Sequence, residues 1–92
     1  MPPKTPIDAE ATALQALATT LGKPDLSQRF LDLTGIGTDE LRKNVGEPAL
    51  LAAFIRFLEA HEPDLVAVAE EIGMAPDELV AARRILEGQE EQ

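Results

Sequence analysis

The sequence predicts an all-α protein, a compact orthogonal bundle of five to six short helices. Glycine and proline divide the 92 residues into short segments. Fourteen alanines favour helix, and the apolar residues recur at helical spacing rather than in strict alternation. Because the predicted connections are only a few residues long, consecutive helices must pack against each other around one core.

The first predicted helix is apolar on two sides. Asp8 is expected to cap it, and it runs to Leu21 with Gly22 just past its end. The stripe expected to face inward is formed by Leu14, Leu17 and Leu21. A second, small-residue face is formed by Ala9, Ala13 and Ala16. We expect this alanine face to pack against the chain's own central helix, with a second copy of the chain as the alternative.

Proline and glycine also mark the ends of the second and third predicted helices. Pro24 suits the first position of a helix that stops at Gly35. Its expected inward residues are Leu26, Phe30 and Leu33. Thr38 is expected to cap a short helix that ends at Gly46. The expected inward residues of this third helix are Leu41 and Val45.

The fourth predicted helix, from Pro48 to about His61, is the most apolar. Its apolar residues cover most of its circumference: Leu50, Leu51, Phe54, Ile55, Phe57 and Leu58. A helix that is apolar on most sides is surrounded by others, so this helix is expected to be central. Arg56 lies inside it, and Glu59, three residues later, is the expected ion-pair partner.

The last two helices, 63–73 and 76–88, are predicted to be arranged like a helix-turn-helix unit. Ala69 precedes Gly73 by four residues, and the apolar Leu79 follows that glycine by six. This spacing resembles the core pattern of helix-turn-helix DNA-binding proteins, in which a small residue allows close helix crossing and a glycine permits the turn.

We expect a single helical domain over residues 8–88. Residues 1–7, with three prolines, are expected to be a disordered tail, and residues 89–92 are expected to fray because they carry no apolar anchor. The longest apolar run, Ala49 to Ile55, is far shorter than the roughly 20 residues that span a bilayer. The first residues lack the apolar segment of a secretory signal. We therefore expect a cytoplasmic protein that binds no membrane.

The charge of the chain is strongly negative and concentrated in its second half. The net charge is −9, and residues 47–92 hold eleven acids against three bases, which is −8. Nucleic-acid binding draws on Lys and Arg at phosphates, so this balance opposes it. Four acids in or beside the last two helices form a candidate partner-binding patch: Glu70, Glu71, Asp77 and Glu78. The expected partner is a protein with a basic surface.

The sequence contains no recognisable catalytic or cofactor-binding motif. There is no cysteine and only one histidine, His61, which excludes a Cys-ligated zinc site and a multi-histidine metal site within one copy. Ser27 is the only serine and lies far along the chain from His61. We expect no metal, no cofactor and no enzymatic activity.

A resemblance to a known family covers most of the chain. It runs from the Ala-Leu-Gln-Ala-Leu stretch at 13–17, through the Leu-Thr-Gly stop at 33–35 and the apolar helix at 54–58, to Ala-Ala-Arg-Arg at 81–84. These segments resemble the small alphaproteobacterial family catalogued as domain of unknown function 3572. The resemblance implies a bacterial, cytoplasmic, stand-alone domain and supplies no active residues.

These observations favour a non-enzymatic protein-interaction or regulatory module. The alternative is a helix-turn-helix nucleic-acid-binding protein, which the shape of the last two helices permits and the charge opposes. The modest core of so short a chain is compatible with either a monomer or a weak homodimer.

Overall fold

The computed structural model describes residues 3–90, and within this range the chain forms six α-helices and no strand. The helices are α1 (Pro6–Leu21), α2 (Pro24–Thr34), α3 (Thr38–Asn44), α4 (Pro48–Glu59), α5 (Glu62–Glu71) and α6 (Pro76–Glu90). The radius of gyration of the Cα atoms is 12.0 Å, close to the roughly 13 Å expected of a compact 100-residue domain. The prediction of a compact all-α bundle is confirmed.

The first helix begins earlier than the sequence predicts. The Thr5 hydroxyl oxygen accepts a hydrogen bond from the backbone N–H of Asp8 at 3.1 Å, so Thr5 is the N-cap and the prediction of Asp8 is wrong. Of the predicted tail, residues 1 and 2 lie outside the described residues, and Pro3 is buried. At the other end α6 extends past Gly88, and residues 91 and 92 lie outside the described residues.

The central position of α4 is confirmed, because its side chains fill the middle of the core. It packs against α6, α1 and α5. Its buried residues are Leu50, Leu51, Ala52, Phe54, Ile55 and Leu58. The last helix contributes the opposing wall, where Leu79, Ala82 and Leu86 are fully buried.

The structure buries only one of the two apolar faces of α1. Its alanine face is fully buried, and the helix packs through that side onto α6 and α4, so the expectation that this face meets the chain's own core is confirmed. The leucine stripe was predicted to face inward, and this is wrong for two of its three members. Leu17 is buried, whereas Leu14 is 36% exposed and Leu21 is 48% exposed. Small side chains allow the backbones of two helices to approach closely, which explains why the alanines form the buried face.

Aromatic contacts join α2 to α4. The ring of Phe30 lies 5.4 Å from that of Phe54 and 5.3 Å from that of Phe57, in edge-on arrangements. The Arg29 guanidinium lies over the Phe57 ring, 5.8 Å from its centre. Leu33, which was predicted to face inward, is 76% exposed, because it lies in the last turn of α2 and the core covers that side of the helix only as far as Phe30.

The turn between α5 and α6 closes with a Schellman motif. Gly73 has φ +72°, in the left-handed region. The N–H of Met74 donates to the Ala69 carbonyl at 2.9 Å, and the N–H of Gly73 donates to the Glu70 carbonyl at 3.1 Å. The predicted role of this glycine as the residue that permits the turn is therefore confirmed.

Replacing Gly73 by alanine should destabilise the fold by about 1 kcal/mol, because a Cβ disfavours a positive φ. Open space surrounds the site, so the change introduces no clash and isolates the backbone effect. Gly88 lies within α6 without a positive φ, and the same substitution there should stabilise by about 0.5–1 kcal/mol. Urea unfolding of the two variants measures both. Effects of the same sign would contradict this interpretation.

Four charged side chains, alternating in sign, connect α4 to α6. Arg83 donates to Glu59 and to Glu87 at 2.5 Å each, and Arg56 donates to Glu87 at 2.5 Å. The sequence-based pairing of Arg56 with Glu59 is wrong, because the antiparallel approach of the two helices brings an opposite charge on α6 to each of them. The hydrogen bond to Glu59 raises the pKa of Arg83, and the hydrogen bonds from Arg56 and Arg83 lower the pKa of Glu87. Both shifts favour the charged forms.

Helix α3 has fewer stabilising contacts than the other helices: it has no side-chain cap and a single buried residue. Gly37, not Thr38, occupies its N-cap position, and no side chain caps the helix. Leu41 is its only buried residue, and Val45, predicted to face inward, is half-buried against the core. The predicted Thr38 cap is wrong, because Thr38 already lies inside the helix.

Candidate interaction surface

The outer face of α5 carries a shallow, open apolar depression. The buried side of this helix is formed by Leu65, Val68 and Ala69. On the opposite side, Pro63, Val66 and Ala67 reach the surface and are flanked by Glu62 and Glu70. These five residues line one surface depression, which we call the α5 groove. Burial in the core explains the apolar residues on one side of α5, but it does not explain those on the opposite side.

Each end of the α5 groove carries an exposed carboxylate. Glu62 lies in the first turn of α5 and Glu70 in its last turn. Eight residues of helix separate them, which is about 12 Å along the axis. In the described part of the chain, neither carboxylate takes part in an ion pair. The α5 groove therefore presents an apolar floor between two uncompensated negative charges.

A second depression adjoins the α5 groove where α2 begins. Ala67 lines both depressions, and the second also includes Pro24, Asp25 and Leu26. Two ion pairs cross this junction: Lys23 contacts Glu71 at 2.6 Å, and Arg29 contacts Asp64. Pairs this exposed contribute little to stability. They nevertheless pair both cations of the adjoining depression with acids other than Glu62 and Glu70.

The four acids predicted to form one patch lie in different surroundings. Glu70 lines the α5 groove, whereas Glu71 pairs with Lys23. Asp77 and Glu78 lie in the first turn of α6, where the helix dipole favours negative charge. Glu62, which the sequence-based patch does not include, also lines the α5 groove. The spacing of Glu62, Val66 and Glu70, four residues apart on one helix, is the signal that indicates it.

His61 belongs to a surface ion cluster. Its Nδ1 atom lies 2.8 Å from Oδ2 of Asp64, and the same carboxylate binds Arg29. Partial burial raises the pKa of Asp64, but the hydrogen bonds from His61 and Arg29 outweigh it, and the net shift is downward. Through the contact between Asp64 and Arg29, this cluster links the first turn of α5 to α2.

Two kinds of feature are absent from residues 3–90. No three His, Asp or Glu side chains in this range lie where they would hold a metal ion together. None of the helices described has the length and apolar character that crossing a membrane requires.

The fold and this surface define a small all-α protein with an acid-flanked apolar groove on its fifth helix. The chain belongs to the family described as Protein of unknown function (DUF3572), whose model matches residues 6–89. The family resemblance of the sequence is thereby confirmed. Neither a curated protein nor a solved structure matches the chain.

Proposed function

We propose that the protein is a non-enzymatic protein-interaction or regulatory module of the bacterial cytoplasm whose α5 groove binds a basic, amphipathic segment of a partner protein. One observation carries the proposal: the exposed Pro63 and Ala67 and the half-buried Val66 lie on α5 between two unpaired carboxylates. The apolar floor favours binding of an apolar side chain of the partner, because that side chain is then removed from water. The flanking acids favour a partner segment that carries a cation on each side of this apolar residue.

The dimensions of the α5 groove favour a helical partner. Its acids are about 12 Å apart, which corresponds to roughly two turns of α-helix. A partner helix with a leucine at the centre and lysines two turns apart would match both the floor and the ends. The surplus of eight negative charges over residues 47–92 adds a long-range attraction for such a segment.

The same charges oppose the helix-turn-helix alternative. In that arrangement α6 would enter the major groove with its N-terminal residues, which here include Asp77 and Glu78. Carboxylates at that position repel phosphates and pair with few base edges. Duplex DNA therefore serves as the negative control for partner binding.

A synthetic amphipathic Lys/Leu helix provides a defined probe of the α5 groove. We expect its addition to shift the backbone amide resonances of Val66 and Ala67, with an affinity that falls as salt rises. Glu62→Lys combined with Glu70→Lys should weaken binding about tenfold or more, because two attractive contacts become repulsive. A DNA duplex should shift no resonance at physiological salt.

The matched control reverses two acids elsewhere. Asp39→Lys with Glu40→Lys changes the net charge equally, and both residues are exposed on α3. If the two double variants lose affinity equally, the attraction is a property of net charge and the α5 groove is not the site. Tight binding of duplex DNA by the unmodified protein would favour the helix-turn-helix alternative instead.

A further inference from the structure

Helix α1 carries a second apolar face that the fold leaves uncovered. The residues Ile7, Ala11, Leu14, Ala18 and Leu21 are all exposed, and we call them the α1 stripe. Ile7 is 78% exposed, more than either Leu14 or Leu21. The buried face of the same helix consists of Ala9, Thr12, Ala13, Ala16, Leu17 and Thr20. The α1 stripe therefore does not contribute to the core of this chain.

The spacing of the α1 stripe is that of a helix–helix seam. Its members follow one another at intervals of four, three, four and three residues, which is the a and d pattern of a coiled coil. At about 100° per residue they fall within an arc of about 80°. No charged residue lies within the stripe. A lone solvent-facing side of a helix normally carries charged and polar residues instead.

We propose that the α1 stripe is an antiparallel, two-fold contact between two copies of this chain. The large side chains Ile7, Leu14 and Leu21 alternate with the small Ala11 and Ala18. Antiparallel pairing places an a position opposite a d position, so a large residue meets a small one in each layer. Parallel pairing would set leucine against leucine and alanine against alanine, which leaves gaps between layers.

One register satisfies this complementarity and covers Ile7. It sets Ile7 against Ala18 of the second copy and Leu14 against Ala11 of the second copy. Two-fold symmetry repeats both contacts, so the interface contains four layers, each with one large and one small side chain. The opposed helix dipoles of an antiparallel pair also attract each other.

Charge points to a second copy rather than to a basic partner. Residues 1–46 hold six acids and five bases, so this half of the chain has a net charge of −1. The surplus of acids lies in residues 47–92, two of which, Glu62 and Glu70, line the α5 groove. Two copies can meet through their α1 stripes with little repulsion between the helices in contact. A cationic segment would find no carboxylate within the stripe.

The contact is small enough to be reversible. A helix of 16 residues is about 24 Å long, and a strip of one helix width along it covers a few hundred Å². Stable dimers bury about 800 Å² on each partner. The dimer should therefore dissociate on dilution, and the protein should be a monomer at low concentration.

Sedimentation velocity measures this equilibrium directly. We expect the wild-type chain to move from monomer towards dimer as its concentration rises from about 10 µM to about 1 mM. Leu14→Glu should remain a monomer throughout. Leu33→Glu is the matched control, because Leu33 is 76% exposed on α2 and lies outside the α1 stripe. It should dimerise like the wild type, and circular dichroism verifies that both variants are folded.

Disulfide crosslinking tests the orientation, since the natural sequence contains no cysteine. Ile7→Cys mixed with Ala18→Cys should give a mixed disulfide dimer under mild oxidation at high concentration. Ile7→Cys alone should not crosslink at the same rate, because the two copies of residue 7 would lie about 16 Å apart along the axis.

Three outcomes would overturn the proposal: a wild-type chain that stays monomeric at 1 mM, a dimer that survives Leu14→Glu, or preferential crosslinking of Ile7→Cys with itself. None of these measurements involves α5. The self-association proposal and the proposed function therefore fail or succeed separately.

Discussion

Replacing Phe54 by alanine should lower the free energy of unfolding by about 3–5 kcal/mol. Its side chain is fully buried in the middle of α4 and makes an edge-on contact with Phe30. Removing the ring leaves a cavity between α2 and α4 that the surrounding helices fill only in part. Since domains of this size are stable by about 5–15 kcal/mol, the loss is a large fraction of the total.

Urea denaturation followed by circular dichroism at 222 nm measures this effect. Leu33→Ala on α2 is the control, and we expect a change within about 0.5 kcal/mol because that side chain is 76% exposed. Leu51→Ala, also fully buried in α4, should cost about 2–5 kcal/mol. Wild-type stability in both α4 variants would mean that α4 is not the centre of the core.

The second large effect is expected at Arg83. Replacing it by methionine should destabilise the fold by about 2 kcal/mol, because Glu59 loses its cation and Glu87 keeps only Arg56. The side chain of Arg83 is only 13% exposed, so water screens its contacts weakly. Methionine keeps much of the apolar stem, which separates the loss of charge from the loss of packing.

Arg84→Met provides the matched control for Arg83→Met. Arg84 is the next residue of α6 and is exposed, so the same change there should have a small effect. Acidification supplies a second check. The lowered pKa of Glu87 stabilises the fold at neutral pH, and this contribution is lost as the pH falls through the folded-state pKa. The stability difference between wild type and Arg83→Met should therefore narrow on acidification. A constant difference would contradict the role assigned to these carboxylates.

Helix boundaries were predictable where a residue restricts the backbone by itself. Proline lacks an N–H and holds φ near the helical value, so Pro24, Pro48 and Pro76 each mark the first residue of a helix. Gly73 marks a left-handed turn for a similarly local reason. The central place of α4 was also predictable, because a helix with apolar residues nearly all round its circumference needs neighbours on every side.

Contacts that depend on how two helices meet were not predictable. Helix α1 has two apolar faces, and only the close approach of α6 makes the alanine face the buried one. Likewise, Glu59 lies within reach of Arg56 on its own helix but pairs with Arg83 on another. The acidic patch shows the same dependence, since the position of Lys23 separates Glu71 from Glu70.

The packing of α6 also determines when the protein can fold during its synthesis. Leu79, Ala82 and Leu86 fill the space between α1 and α4, two helices that the ribosome has already made. Until those three side chains leave the exit tunnel, the alanine face of α1 and one side of α4 remain in contact with water. The nascent chain therefore completes its core only after α6 has emerged from the ribosome, so native packing cannot proceed helix by helix from α1.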